Sequence, residues 1–304
     1  MTWTALLALA VVVGMAPLIP GIAAKTKARL AGRRGAPVLQ LYRDLARLWG
    51  KGVVYSRVTT WVFRMGPVVA VATAALAACL LPLDGRRALI TFSGDFVAFA
   101  SLLALGRFAL VLAAWDTGSS FEGMGASREV TVASFAEPAL FLAFVALVLA
   151  TDSLSLGGAL GGPLVQAWPA ATPALAMVTA SLFLVLLAEG ARVPVDDPAT
   201  HLELTMIHEV MVLDHSGPDL AMILLGHALK MTLFAALLIG AILPRASLAP
   251  LPAIGVLVAG LIVVAVAVGV VESVMARLRL THVPQFLTAA SALAALGVIL
   301  LLVA

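Results

Sequence analysis

Charge is scarce in this 304-residue chain: only 12% of residues are Asp, Glu, Lys or Arg, against 62% hydrophobic. A soluble domain of this length needs far more polar surface, so the scarcity excludes a soluble protein and leaves a polytopic membrane protein. Cysteine is nearly absent as well. The single Cys79 lies in an apolar run, so neither a disulfide framework nor a cysteine metal site is available, and it reads as a small buried or lipid-facing residue. The run Met1–Ile22 has no basic start and no Ala-x-Ala exit, so it reads as a first span.

In lipid the counting unit is a helix of roughly 20 apolar residues, because backbone in hydrocarbon has to satisfy its own hydrogen bonds. Eight such runs are expected, forming one all-α integral membrane domain over residues 1–304. They cover approximately Thr2–Ile22, Trp61–Leu81, Leu89–Trp115, Val130–Thr151, Pro173–Glu189, Pro218–Leu243, Leu251–Met275 and Val283–Val303. Alternate connections differ sharply in charge. One set holds nine Lys or Arg from Lys25 through Arg57, then Arg128, Arg192, Arg277 and Arg279; the other holds Arg86, Arg87 and Arg245. By the positive-inside rule the basic side is cytoplasmic and both termini lie outside, in a multi-pass protein of the cell (inner or plasma) membrane.

The first cytoplasmic connection, residues 23–60, is long and basic. Val38, Leu41, Tyr42, Leu45, Leu48 and Trp49 recur at helical steps, with Arg43, Arg47 and Lys51 on another face. Gly35–Ala36–Pro37 supplies a break in front. An amphipathic helix of this kind lies in the headgroup plane, anchored by Tyr42 and Trp49. Beyond lipid anchoring, it is a candidate docking platform or cavity rim, with Arg33, Arg34, Tyr42, Arg43, Asp44 and Arg47 at the edge, joined by Arg128 from the next basic connection. Membrane topology accounts for these basic residues, which leaves no case for nucleic-acid binding.

Between spans three and four the glycine-rich WDTGSSFEGMGASRE reads as a tight turn. Glu137 then falls about two turns into span four, before Pro138. A carboxylate at that depth costs several kcal/mol against lipid, so it should face protein or water, as a structural acceptor or as a protonatable group in a polar pathway. Arg107 in span three is its candidate counter-charge. Lys230 in span six, one turn after His227, is another buried cation, placed to snorkel or to neutralise a neighbour.

The densest polar segment is EGARVPVDDPATHLELTMIHEVMVLDHSGPD, Glu189–Asp219. It holds seven of the chain's sixteen acidic residues and three of its five histidines. Arg192 follows Glu189 closely enough to pair with it. Asp197–Pro198 is a good helix start, and a helix over Ala199–Leu213 would put Leu202, Met206, Ile207, Val210 and Leu213 on one side. His201, His208 and His215 are seven apart, about 10.5 Å along such a helix, too far for two of them to share a metal. Four residues after His208 stands Val212, so there is no zinc-protease motif. Two readings remain: a solvated connection, or a chain of titratable groups bridged by water.

LAGRRGAPVLQLYRDLARL, WDTGSSFEGMGASRE, EGARVPVDDPATHLEL and SVMARLRL, in this order across eight spans, resemble one family. It is the membrane subunit shared by respiratory complex I (NADH dehydrogenase subunit 1) and by group 4 membrane-bound nickel–iron hydrogenases such as formate hydrogenlyase. The first two blocks and the terminal MARLRL are more similar to the hydrogenase branch.

The resemblance implies a non-catalytic subunit that binds no cofactor itself. Iron–sulfur clusters, and a nickel–iron site where one is kept, belong to partners: an iron–sulfur small subunit and a large hydrogenase-like subunit docked on the cytoplasmic face. Antiporter-like membrane subunits lie beside it in the bilayer. By position, Glu137 matches the family glutamate of span four, Glu189, Arg192, Pro194 and Asp196 match an ExxRxPxD block, and Glu203 matches the last acid of the following turn. Ala199 and His201 stand where two further acids are expected, which argues against quinone use and against a wholly carboxylate path. Either His201 carries the proton, or the path runs through His208, Glu209 and Asp214. The competing classes are a stand-alone secondary transporter, disfavoured because no inverted repeat or paired interrupted helix is visible, and a purely structural anchor.

Overall fold

A computed structural model describes residues 3–86, 88–197 and 206–303. Among these residues the chain is helical without strands. The elements are α1 (Trp3–Met15), α2 (Leu18–Leu30), α3 (Gln40–Trp49), α4 (Trp61–Ala78), α5 (Asp95–Asp116), α6 (Ser120–Thr151), α7 (Leu156–Ala159), α8 (Gly162–Ala170), α9 (Thr172–Glu189), α10 (Gly217–Ile242), α11 (Pro250–Val274) and α12 (Val283–Val303). Seven stretches are long and apolar enough to cross a membrane: α4, α5, α6, α9, α10, α11, and α12 with the short turn before it. The pair α1–α2, bent by 44°, supplies the eighth. Pro17 sits at the bend, where its missing N–H and its ring interrupt the helix. The first span therefore does not stop at Ile22 as expected. It continues as helix to Leu30, carrying Lys25, Lys27 and Arg29.

The amphipathic helix expected in the basic connection is present as α3. It packs against α10, and Leu45 is its buried residue. Two other expectations fail. The glycine-rich stretch after span three is not a turn, for only Thr117–Ser119 interrupts the helices and α6 already runs from Ser120. Its glycine at 125 serves close approach: a Cβ there would lie 2.4 Å from Val210 Cγ1 and 3.1 Å from the Ile207 carbonyl. The third span begins at Asp95 and not at Leu89, because Gly94 adopts a left-handed conformation (φ 87°).

The helix expected over Ala199–Leu213 is also absent from its described part. Residues 206–208 are non-helical, and one 3-10 turn covers Glu209–Val212. Asp196 provides the reason, since its Oδ2 accepts from the backbone amides of Ile207 (3.3 Å) and His208 (3.1 Å) and so competes with helical pairing. Met206, Ile207, Val210 and Met211 are all buried, so the segment lies under the helices on more than one side, while Leu213 is half exposed.

Helix α10 is the enclosed centre, packed by α4, α9, α3 and α11. Helices α4 and α5 pack closely through small residues; a Cβ on Gly106 would meet Thr73 Oγ1 at 2.4 Å. Asp116, closing α5, takes the amides of Thr60 (2.6 Å) and Phe63 (3.3 Å) at the start of α4, tying the antiparallel pair at one end. At the opposite end Thr4 donates to Asp84 (3.0 Å), and Asp95 accepts from the Leu156 amide (2.6 Å).

Candidate functional site: a buried charge cluster beside a cavity

The apolar bundle holds a chain of ionisable side chains. Arg107 projects from α5 with only 9% of its side chain exposed. Its Nη1 donates to Glu189 Oε1 (2.8 Å) and its Nη2 contacts Glu137 Oε1 on α6. Glu189 closes α9, and its second oxygen lies 2.7 Å from Lys230 Nζ on α10. Four helices thus contribute two cations and two carboxylates to one array. Burial of this kind is tolerated in a membrane only where charges are paired or reach water.

A second group continues from it toward the 190–216 connection. His208 Nε2 lies 3.3 Å from Glu129 Oε2 on α6, and Nδ1 lies 3.7 Å from Asp196 Oδ2. Arg277 Nη2 lies 3.0 Å from Asp196 Oδ1. Burial opposes a charge on His208, but Glu129 beside it and the interaction with Asp196 outweigh that and hold the imidazole up at about 9. Burial likewise disfavours ionised Asp196, yet His208 and Arg277 keep it below the usual carboxylate value. His227, one turn before Lys230, turns its ring edge to His208 (5.4 Å between centroids) and places Nε2 3.1 Å from the Gly190 carbonyl.

Arg192 does not pair with Glu189. Its Nη1 lies 3.4 Å from Glu272 Oε1 on α11. Ala191, in left-handed conformation (φ 47°), turns the chain as α9 ends, and the two side chains diverge. Glu189 is already held by Arg107 and Lys230.

Part of this cluster lines a cavity of about 230 Å³. Its lining includes Arg107, Glu129, Arg192, Asp196, His208 and Lys230, with Glu209 and His227. Apolar residues such as Ala70, Leu103, Leu110, Ile223 and Leu224 line it as well, as does Leu41 of α3. Charged and apolar residues alternate along the lining, with Leu103, Arg107 and Leu110 on α5 and Leu224, His227 and Lys230 on α10, so the charges open onto the cavity.

The structure brings together Glu137, Glu189, Asp196, His208 and Glu209 with Arg107, Arg192 and Lys230. Asp214 stands apart: it is exposed, and its backbone amide donates to Glu122 (2.9 Å). His201 and Glu203 lie outside the described residues. His215 stacks on Phe63 (3.9 Å, 7°), and burial pushes it down to about 4. Of the rim candidates, Arg33, Arg34, Arg43 and Arg47 are exposed, and Arg47 lies 3.8 Å from Asp44. Tyr42 donates to the Gly14 carbonyl, and Arg128 donates to the Met206 carbonyl (2.8 Å), tying α6 to the connection. Sequence reasoning missed Glu129 and Glu272. Each had the signal of a carboxylate within or beside an apolar run.

Among the described residues no three His, Cys, Asp or Glu side chains are arranged to hold a metal. Cys79, at the end of α4, is the chain's one thiol, so the four cysteine ligands of an iron–sulfur cluster cannot come from here.

The chain resembles proteins of known assemblies. It is 31% identical over 302 residues to formate hydrogenlyase subunit 4 of Escherichia coli (strain K12), covering 97% of this chain and 96% of that one. Hydrogenase-4 component C of the same organism is 31% identical over 230 residues, 76% of this chain and 71% of that one. An NADH-quinone oxidoreductase subunit of Burkholderia vietnamiensis (strain G4 / LMG 22486) is 24% identical, over 69% of this chain and 61% of that one. A chain from the membrane-bound sulfane sulfur reductase, an archaeal respiratory membrane complex, shares the fold with a TM-score of 0.79, at 20% identity and 98% coverage of both chains. The family model described as NADH dehydrogenase matches residues 3–303, and this polytopic membrane protein belongs to that family.

Proposed function

We propose that this chain is the membrane-anchor and proton-pathway subunit of a complex I-related, hydrogenase-like oxidoreductase. It catalyses no redox step itself. It docks an iron–sulfur small subunit and a large hydrogenase-like subunit on the cytoplasmic side, with both termini outside, and passes protons to an adjoining antiporter-like subunit. The relatives' descriptions as a subunit of formate hydrogenlyase and a component of hydrogenase-4 support a multisubunit setting.

One observation carries the reading: the Lys230–Glu189–Arg107–Glu137 array runs from the cavity to the flank of the bundle. Arg107, Glu189 and Lys230 are nearly enclosed, but the Glu137 side chain is 39% exposed. Ser127, Thr131 and Ser134, which share one stripe of α6, are exposed as well. A half-exposed carboxylate and a row of small hydroxyls suit a neighbouring membrane helix packed closely there, able to take the proton, and not lipid. Protons enter from the cytoplasm through the cavity, past Asp196, His208 and Glu209. No quinone step is assigned to this chain.

The test is purification of the tagged chain from its native membranes. Iron–sulfur partners should copurify at constant ratio. Recovery of the chain alone or as a homo-oligomer in mild detergent would instead identify a transporter.

A further inference from the structure

The relation between Glu129 and His208 carries the proton-pathway reading further. Glu129 sits on α6, two turns from Glu137 toward the 190–216 connection, and is 4% exposed. Its Oε2 faces His208 Nε2, while His208 Nδ1 faces Asp196. Neither ring nitrogen, nor Glu129 Oε2, has a hydrogen-bond partner elsewhere among the described residues. The imidazole is therefore suspended between two buried acids on the wall of a cavity large enough for water.

The titratable groups that line the cavity with it are Glu129 from α6, Asp196, Arg192 and Glu209 from the connection, Arg107 from α5, and His227 and Lys230 from α10. Glu129 is itself within electrostatic reach of Arg107, Lys230 and Glu189. With His208 protonated, each cation has a carboxylate counterpart: Arg107, Lys230, His208, Arg277 and Arg192 against Glu137, Glu189, Glu129, Asp196 and Glu272. A proton shift anywhere in the array changes the balance felt by the rest.

We propose that Glu129 and His208 form the loading gate of the pathway, the point where a proton leaves the cavity for the Arg107–Glu189 pair. The step moves one proton and no electrons. The His208 Nε2–H bond breaks, an O–H bond forms on Glu129, and both groups become neutral. Arg107 and Lys230 lose a nearby negative charge, which they regain when Glu129 releases the proton toward the Arg107–Glu189 pair. The neutral ring keeps its Nδ1 proton, and a half-turn offers the bare nitrogen to cavity water for reprotonation. Glu129 is thus a proton-accepting residue and His208 a proton carrier, each acting at a stated atom.

The inference rests on the proton-pathway reading, and its test separates the two. In the assembled complex in native membranes, Glu129→Gln should cut protons translocated per electron pair by about tenfold or more, the scale of lost proton-transfer catalysis. Electron transfer in the docked arm should stay within about twofold of wild type, and Glu129→Asp should recover part of the loss. In the full chain in lipid nanodiscs, with ring-labelled histidine, the infrared imidazolium signal that His208→Gln removes should titrate about one pH unit or more lower in Glu129→Gln. Unchanged translocation in Glu129→Gln overturns the gate, as does an unshifted His208 titration. Absence of translocation in the wild-type complex would instead remove the pathway reading itself. If Glu129→Gln does not assemble, Glu129→Asp decides by itself: wild-type translocation overturns the gate, and reduced translocation with a lowered His208 titration supports it.

Discussion

The two oxygens of Glu189 face different cations, Oε1 receiving Arg107 Nη1 at 2.8 Å and Oε2 lying 2.7 Å from Lys230 Nζ. One carboxylate thereby neutralises charges on two helices at once. Removing it as Glu189→Gln should destabilise the chain by roughly 3–5 kcal/mol, since it strands buried cations. Glu189→Gln with Lys230→Met should recover most of that loss, because it removes one of the stranded charges. Thermal unfolding of the two variants and the unsubstituted chain in nanodiscs measures both effects, and a double variant no better than the single would contradict the shared role.

The Arg192–Glu272 pair can be distinguished from the expected Arg192–Glu189 pair by a double-mutant cycle. Arg192→Met and Glu272→Gln should each destabilise by a few kcal/mol and show a coupling energy of about 1 kcal/mol or more, as contacting buried groups do. Arg192→Met and Glu189→Gln should come closer to additive, through a network and not through contact.

Two histidines give opposite pH dependence. His208 is held at about 9 when folded, above its ordinary 6.5, so its stabilising charge is fully present below 6.5 and is lost as pH rises toward 9. His215 is pushed down to about 4, so its contribution is present above 6.5 and is lost as pH falls toward 4. Melting temperature across pH 4–10 should fall at both ends. His208→Gln should flatten the alkaline side. His215→Phe, which keeps a ring against Phe63, should flatten the acid side.

Gly125→Ala tests the glycine reassigned from turn to packing. Its Cβ would press on Val210 and on the Ile207 carbonyl, and backbone cannot yield cheaply, so a loss of about 1–3 kcal/mol is expected. Hydrogen exchange should speed up across Ile207–Val212 before it does elsewhere. Unchanged protection there would contradict the contact.

Hydropathy made the spans legible because lipid imposes length and composition on every one of them, and α11 and α12 fall within one residue of expectation. Local signals misled where tertiary contacts replaced them. Glycines in the 118–125 region suggest a turn, yet Gly125 is needed for space under a helix that has already begun. The three-and-four spacing after Asp197 suggests a helix, but Asp196 draws the amides of Ile207 and His208 to itself. Charge at depth marked Arg107, Glu137 and Lys230 as polar-core residues. Which partner each would meet depends on helix packing, and so Glu272 and Glu129 emerged only from the structure.

The proton-pathway account is tested most directly by proton stoichiometry in native membrane vesicles carrying Glu137→Gln. This substitution removes the array's outward-facing acid and leaves the enclosed Glu189 pairs in place. Assembly and electron transfer in the docked arm should persist while protons translocated per electron pair fall to background. Wild-type stoichiometry in that variant would contradict the account.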